Sequence, residues 1–569
     1  MLTRCLVACA ATSLHAAPAL AQGLAIDLRA SSGGDRTGSS LAPVGDVDGD
    51  GLPDLASGDA GGLNSSGGGV IVFSGATGRD LYRPFVDSAS YSAGFSLARL
   101  GDLDGDGIAE LAAGDELWGT PTDRPGSVTI TQGGTGALIE LLIGEDTLDL
   151  FGWSIDRVPD VDLDGIPEIA VGAPGADAGG RGSGAVLLYS GASRARLWRI
   201  DGSEVGGALG YVVRGASDFD GDGRGDVVVS EPSATSSTGD VAAGRVLVLS
   251  GVDGSIVQVF EGETPHEGFG RSLAVVGDGD GDGRDDLIVG APFASTAAFS
   301  GGRVDLISSA TGGSIWSFAG TGFGESLGDH VGAVGDLDGD GTQDAAFTRG
   351  LDVFDPESGQ AFAVSVATGS ILYSVPAPLL EADRRPLAGT GDLSGDGLDD
   401  LAVGAPRDGV VRVHQLGDRP GGSICDGEPN SVLGLPALLS ASSSTAFWIQ
   451  ANDADLNVIG LPIGPGYFLV ARSTGTLPMF GGGEGTLCLG MPLGRYSDDV
   501  LIPQNTALPF DPPSGPVSLR IDNTSIPQPT GAVAAAPGDT FYFQYWYRDV
   551  DAIGAATSNL SNAIAITFR

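Results

Sequence analysis

Asp278-Gly279-Asp280-Gly281-Asp282-Gly283-Arg284-Asp285-Asp286, followed at once by Leu287-Ile288-Val289-Gly290-Ala291-Pro292, decides how this chain folds. Carboxylates stand at positions 1, 3, 5 and 9 of the acidic stretch, glycine stands at position 6, and a short apolar run follows directly. The same frame begins at Asp46, Asp102, Asp160, Asp218, Asp278, Asp336 and Asp392, with spacings of 56, 58, 58, 60, 58 and 56 residues. Seven copies at so regular a period are an internal repeat, and a repeat dictates the architecture.

Working outward from the fifth loop gives the repeating unit. Phe269 to Val276 reads as a first strand, Leu287 to Val289 as a second, Arg303 to Ile307 as a third and Ser314 to Phe318 as a fourth, with Gly-rich turns between them. Short alternating runs bounded by turn residues predict four antiparallel strands. One such sheet cannot bury both faces, so several must stack, and radial stacking gives an all-β propeller of seven blades. The seventh copy has a second strand (Leu401 to Val403) and a third (Val410 to His414) but no fourth. Leu24 to Leu28 precedes the first loop as fourth strands precede the others, so it is expected to complete blade seven and close the ring.

The acidic loops read as metal sites. Alternate carboxylates converge, glycine permits the sharp turn, and oxygen donors suit Ca²⁺ better than Mg²⁺, which keeps its water. The expected ligands are Asp46, Asp48, Asp50 and Asp54; Asp102, Asp104, Asp106 and Glu110; Asp160, Asp162, Asp164 and Glu168; Asp218, Asp220, Asp222 and Asp226; Asp278, Asp280, Asp282 and Asp286; Asp336, Asp338, Asp340 and Asp344; and Asp392, Ser394, Asp396 and Asp400. Up to seven Ca²⁺ sites follow, the seventh weakest because Ser394 replaces an aspartate. An EF-hand needs an acid at position 12 and a helix after it. Position 12 is Ser57, Ala113, Val171, Val229, Val289, Phe347 or Val403, inside the apolar second strand, so the EF-hand reading fails.

With these motifs in place the sequence resembles the FG-GAP repeats of integrin α-subunit propellers. Phe-Gly stands at Phe151-Gly152 and Phe269-Gly270, softened to Leu209-Gly210 and Leu327-Gly328; Gly-Ala-Pro stands at residues 172–174, 290–292 and 404–406. The first and seventh copies depart from the Phe-Gly element, with Gly38 and with Arg384-Arg385. The resemblance covers residues 24 to 418. It implies seven blades, Ca²⁺ in hairpin loops on one face, and a ligand meeting the other face.

The ends and the composition frame this ring. A basic start, an apolar run from Cys5 to Ala11 and the site Ala19-Leu20-Ala21 describe a signal peptide over residues 1–21, so secretion or display at the cell surface is expected. No stretch of about 20 apolar residues suggests a transmembrane helix. The mature chain keeps Cys425 and Cys488, an even pair that reads as one disulfide in an exported protein. Acids outnumber bases 73 to 29, the net charge is −44 and there is no lysine. Such a polyanion excludes nucleic acid as a partner and any mechanism built on a catalytic lysine.

After the propeller of residues 22–420 the period stops. Strand-like segments such as Tyr467 to Ala471, Val517 to Ile521, Thr540 to Asp549 and Ala563 to Thr567 predict a C-terminal β-sandwich over 421–569. Arg224-Gly225-Asp226 spells an adhesive tripeptide, but Asp226 is a loop ligand. His266, His330 and His414 share no motif, and no zinc motif, phosphate loop or nucleophile elbow is present. The expectation is a non-enzymatic extracellular binding or adhesion module for a protein or glycan. Its candidate face is the set of loops between second and third strands, Gly58 to Gly69, Gly114 to Gly126 and Ser230 to Gly244. A structural envelope or matrix component and a polysaccharide-active enzyme are the alternatives.

Overall fold

The computed structural model describes residues 25–30, 36–59, 68–85, 90–120, 122–350, 359–376, 386–393, 398–406 and 409–414; for Thr12–Ser13 and the strands beyond residue 414 it gives the backbone path alone. Every regular element among them is a strand. Two compact units are distinguished, one holding Asp27–Val413 and the other His414–Arg569.

The first unit is a seven-bladed β-propeller. Blade three is representative: Ser154–Val158, Glu168–Ala173, Ala185–Tyr189 and Arg196–Asp201 pair in that order, each antiparallel to the last. Blades one, two, four, five and six repeat the order. The first strands of neighbouring blades touch all the way round, from Thr37–Gly45 through Leu387–Gly391 and back to Thr37–Gly45. The ring is therefore closed around these seven strands. In blade seven, Ala25–Arg29 lies beside Val410–His414 as the fourth strand, as the incomplete seventh repeat required. Arg412 Nε donates to Asp27 Oδ1 at 3.3 Å across that seam. Thr12–Ser13, within the segment read as a leader, runs parallel to Phe318–Ala319 at the edge of blade five.

Second strands are buried along their length, save for the last residue in blades one and six, Asp59 and Arg349; Val227, Val228 and Val229 expose no surface. A strand covered on both faces explains why these runs are continuously apolar rather than alternating. Fourth strands form the outer rim and stay partly exposed, as in Leu138–Ile143. The cores lie between blades. Phe151 packs with Val128 and Ile130 of blade two and Ile169 and Val171 of blade three.

The phenylalanine of Phe-Gly is not part of the first strand, which in blade five starts at Ser272 rather than at Phe269. Gly152 and Gly270 have φ of 87° and 84°, a turn that a β-branched or bulky residue would resist. That turn drops Phe151 and Phe269 into the interblade core, 1% and 3% exposed. The glycine of Gly-Ala-Pro has a matching cause: a Cβ on Gly172 would sit 2.1 Å from the carbonyl oxygen of Gly210 in the next blade. The two glycines let neighbouring blades meet backbone to backbone.

In the second unit, Ser423–Cys425, Ala556–Thr567, Thr540–Val550, Gly466–Ala471 and Gly494–Arg495 form one sheet in that order; Leu438–Ser443, Ala454–Ile459 and Val517–Arg520 form another, and Thr474–Pro478 pairs with Thr486–Leu489. The expected Cys425–Cys488 disulfide lies outside the described side chains.

Candidate functional site

Each acidic loop connects the first and second strands of a blade, so all seven sit at one end of the ring. Position 1 organises the loop. Asp46 Oδ1 accepts the N–H groups of Gly49 and Asp50 at 2.8 and 3.0 Å, and its Oδ2 accepts that of Gly51 at 2.9 Å. Asp218, Asp278 and Asp102 do the same in their loops. Gly51 has φ of 96° with open space around its Cβ position, so backbone conformation and not crowding demands glycine there.

This wrapping gathers carboxylates. Asp46, Asp48 and Asp50 each offer an oxygen within 4.8 Å of the others, as do Asp218, Asp220 and Asp222, and Asp278, Asp280 and Asp282. Loop three gathers four, Asp160, Asp162, Asp164 and Glu168; loop two gathers Asp102, Asp104 and Glu110. Gln132 Nε2 reaches Asp104 Oδ2 at 3.1 Å and Asp106 Oδ2 at 3.3 Å. In loop six, Asp336 Oδ1 accepts Gly339 N–H at 2.7 Å and Asp338 Oδ1 accepts Asp340 N–H at 3.1 Å. Ser394 and Asp396 of loop seven lie outside the described residues, while Asp400 Oδ2 accepts Leu393 N–H at 2.9 Å.

Position 9 has a second duty. Asp54, Asp226, Asp286 and Asp344 are buried, and each takes backbone donors from two different parts of its blade. Asp54 Oδ2 accepts Val47 N–H at 2.8 Å and Oδ1 accepts Gly75 N–H, beyond the third strand, at 2.9 Å. Asp226 repeats this with Phe219 and Gly251, Asp286 with Gly279 and Ser309, and Asp344 with Leu337 and Val366. These aspartates staple the acidic loop to the turn between third and fourth strands. Burial pushes Asp54 up to about 6 and Asp344 to about 7; the backbone donors oppose the rise, and the loop's other carboxylates add to it.

The longer glutamate arm separates the two duties. Glu168 is fully buried, its Oε2 accepts Val161 N–H at 2.6 Å, and Oε1 has no hydrogen-bond partner. Burial pushes it up to about 7, and the charges of Asp162, Asp160 and Asp164 push the same way. A buried oxygen without a donor, among three more carboxylates, fits a bound cation, which would satisfy it. All donors are oxygen, which suits a hard divalent ion.

Arg224 Nη1 donates to the Val161 carbonyl of the preceding loop at 2.5 Å, and Asp226 exposes no surface. The adhesive tripeptide is thus built into the scaffold. Arg284 repeats the contact, reaching the Phe219 carbonyl at 3.2 Å.

The opposite end carries the connections between second and third strands and between blades. Of the variable loops singled out above, 60–67 and 121 lie outside the described residues. In the next loop Asp115 is a buried hub that accepts from Ser90, Tyr91, Ser92 and Leu117. Two features of this end escaped the sequence reading. Phe299 and Phe323, 68% and 55% exposed, stack with centroids 5.5 Å apart at 17°. An aromatic arc of Phe95, Trp153 and Tyr211 borders the axial channel, with centroid separations of 4.7 and 5.4 Å.

Fold and loops together define an integrin α-like β-propeller built from FG-GAP repeats. The FG-GAP repeat model matches residues 151–189, 209–249, 269–318 and 387–423. Integrin alpha-8 of Gallus gallus is 33% identical over 217 residues, 35% of this chain and 20% of that protein; integrin alpha-8 of Mus musculus is 33% identical over 228 residues, 36% and 20%. Phosphatidylinositol-glycan-specific phospholipase D of Dictyostelium discoideum is 30% identical over 232 residues, 34% of this chain and 24% of that protein. The chain thus spans about a quarter or less of the length of these relatives. No helix among the described residues is long and apolar enough to cross a membrane.

Proposed function

We propose that the protein is a secreted, calcium-stabilised, non-enzymatic module that binds an extracellular protein or glycan through the propeller end opposite its acidic loops. The observation that carries this reading is the division of labour between the two ends. One end commits its side chains to wrapping loops and to gathering carboxylates. The other exposes the Phe299–Phe323 stack and an aromatic-lined channel mouth, surface that a scaffold alone would bury. Calcium is the favoured ion because the loops offer three or four carboxylates with no nitrogen or sulfur donor.

The relatives support a binding scaffold rather than one chemistry, since this chain is similar both to proteins named as integrins and to proteins named as a phospholipase. The leader-like N-terminus and the Cys425–Cys488 pair fit an exported chain. The test is retention of surface-extract components on the immobilised full chain, with calcium and with excess chelator. A saturable partner held only in calcium is expected. Turnover of a polysaccharide panel by the purified chain, with no retained partner, would replace this reading with an enzymatic one.

A further inference from the structure

The residue after the turn glycine occupies the same place in blades one to six, at the start of the innermost strand. Ring closure therefore gathers these residues around the axis. They are Ser39, Phe95, Trp153, Tyr211, Arg271 and Asp329 in blades one to six, and together they border a cavity of about 260 Å³. One arc of the mouth is aromatic and the facing arc carries Arg271, Asp329 and His330.

The chemistry of this mouth narrows its guest. The Arg271 guanidinium already lies over Tyr211, 5.0 Å from the ring centroid, and 5.9 Å from that of Phe293. The cation slot of the aromatic arc is thus filled from within, and a second cation would meet Arg271 and Arg214. An anion would meet Asp329, whose Oδ2 is 3.8 Å from His330 Nε2. Deeper in, Asp156 offsets Arg214. The charges balance locally, which suits an uncharged guest with an apolar face and a hydrogen-bonding edge. The volume falls below the roughly 300–1,000 Å³ typical of drug-sized ligands, so it holds one small ring.

We propose that the channel mouth is a binding site for a neutral saccharide, with one pyranose ring against Trp153, the middle ring of the aromatic arc, and its hydroxyls turned to Arg271 and Asp329. This rests on the binding-module reading and names its ligand class. Aromatic rings provide the apolar platform and a rigid contact at low entropy cost. The arginine and aspartate supply donors and acceptors whose pairing with hydroxyls decides which sugar is accepted.

The test titrates the full chain in calcium with methyl glycosides of neutral hexoses and N-acetylhexosamines, following tryptophan fluorescence. Tetramethylammonium and glucuronate are titrated in parallel. Saturable binding of at least one neutral glycoside is expected, weakened about tenfold or more by Trp153→Ala and by Arg271→Gln. Melting temperatures near wild type certify that both variants are folded, and Tyr211→Leu replaces either one that is not. Preference for tetramethylammonium or glucuronate would overturn the proposal. So would glycoside binding unchanged in these variants, or no glycoside binding at all. The binding-module reading survives each of these if a calcium-dependent partner is still retained from surface extract.

Discussion

Ser96 Oγ donates a 2.7 Å hydrogen bond to the carbonyl of Gly152, the turn glycine of the next blade. Ser40 to Gly94 and Ser272 to Gly328 repeat it at 2.6 Å. A serine two residues after one turn glycine thus sews its blade to the next turn glycine. Ser96→Ala should cost about 1 kcal/mol, the net worth of one such bond. Ser40, Ser96 and Ser272 serve separate seams, so the triple variant should lose close to the sum. Urea melts of the single and triple variants check this; a triple variant as stable as wild type would dismiss the stitch as incidental.

Phe151 fills the seam between blades two and three. Phe151→Ala should destabilise by about 3–5 kcal/mol, the range for an emptied aromatic site. Phe151→Leu should cost much less, since blades four and six carry Leu209 and Leu327 at this place, both buried. Denaturant midpoints for the pair measure the difference.

Asp149, 4% exposed in the link between blades two and three, is pushed up to about 6 by burial, only partly opposed by the Asp146 backbone donor and Arg199. Its folded pKa lies above the unfolded value near 3.8, so the native state holds the proton more tightly between these values. That contribution to stability is present below about pH 4 and is lost as pH rises to about 6. Asp149→Asn should therefore stabilise the protein at pH 7 by about 2 kcal/mol and flatten this part of its pH profile. Equal melting temperatures for wild type and variant at pH 4 and pH 7 would contradict the assignment.

Glu168, like Glu110, is a position-9 acid with an oxygen to spare, while Asp54 spends both on backbone donors. Glu168→Gln should chiefly weaken calcium binding at loop three. Asp54→Asn should instead lower stability even in chelator, by about 1–2 kcal/mol, since it damages a buried staple. Calcium titration calorimetry and chelator melts of the two variants separate ligation from stapling.

Much of this was legible because each feature recurs. The period fixed the number of blades, position 12 excluded EF-hands, and the missing strand after His414 pointed to Leu24–Leu28, one residue from the strand observed at Ala25–Arg29. The double role of position 9 was not legible, because the donors that compete for Asp54 come from Val47 and Gly75, and only folding brings them together. The arc of Phe95, Trp153 and Tyr211 was hidden differently. These residues are 58 apart in sequence and look like unrelated hydrophobics until a closed ring points them at one axis. Aligning the copies on the turn glycine would have exposed them as one column.

The central claim is that the acidic loops hold calcium and that the ion is part of what keeps the ring folded. Thermal melts of the full chain across a calcium series, against excess chelator, test it directly. At a hundredfold excess over its dissociation constant, each occupied site adds about 2.7 kcal/mol, so the melting temperature should climb steadily with calcium. A melting temperature that is the same in saturating calcium and in chelator would contradict the account.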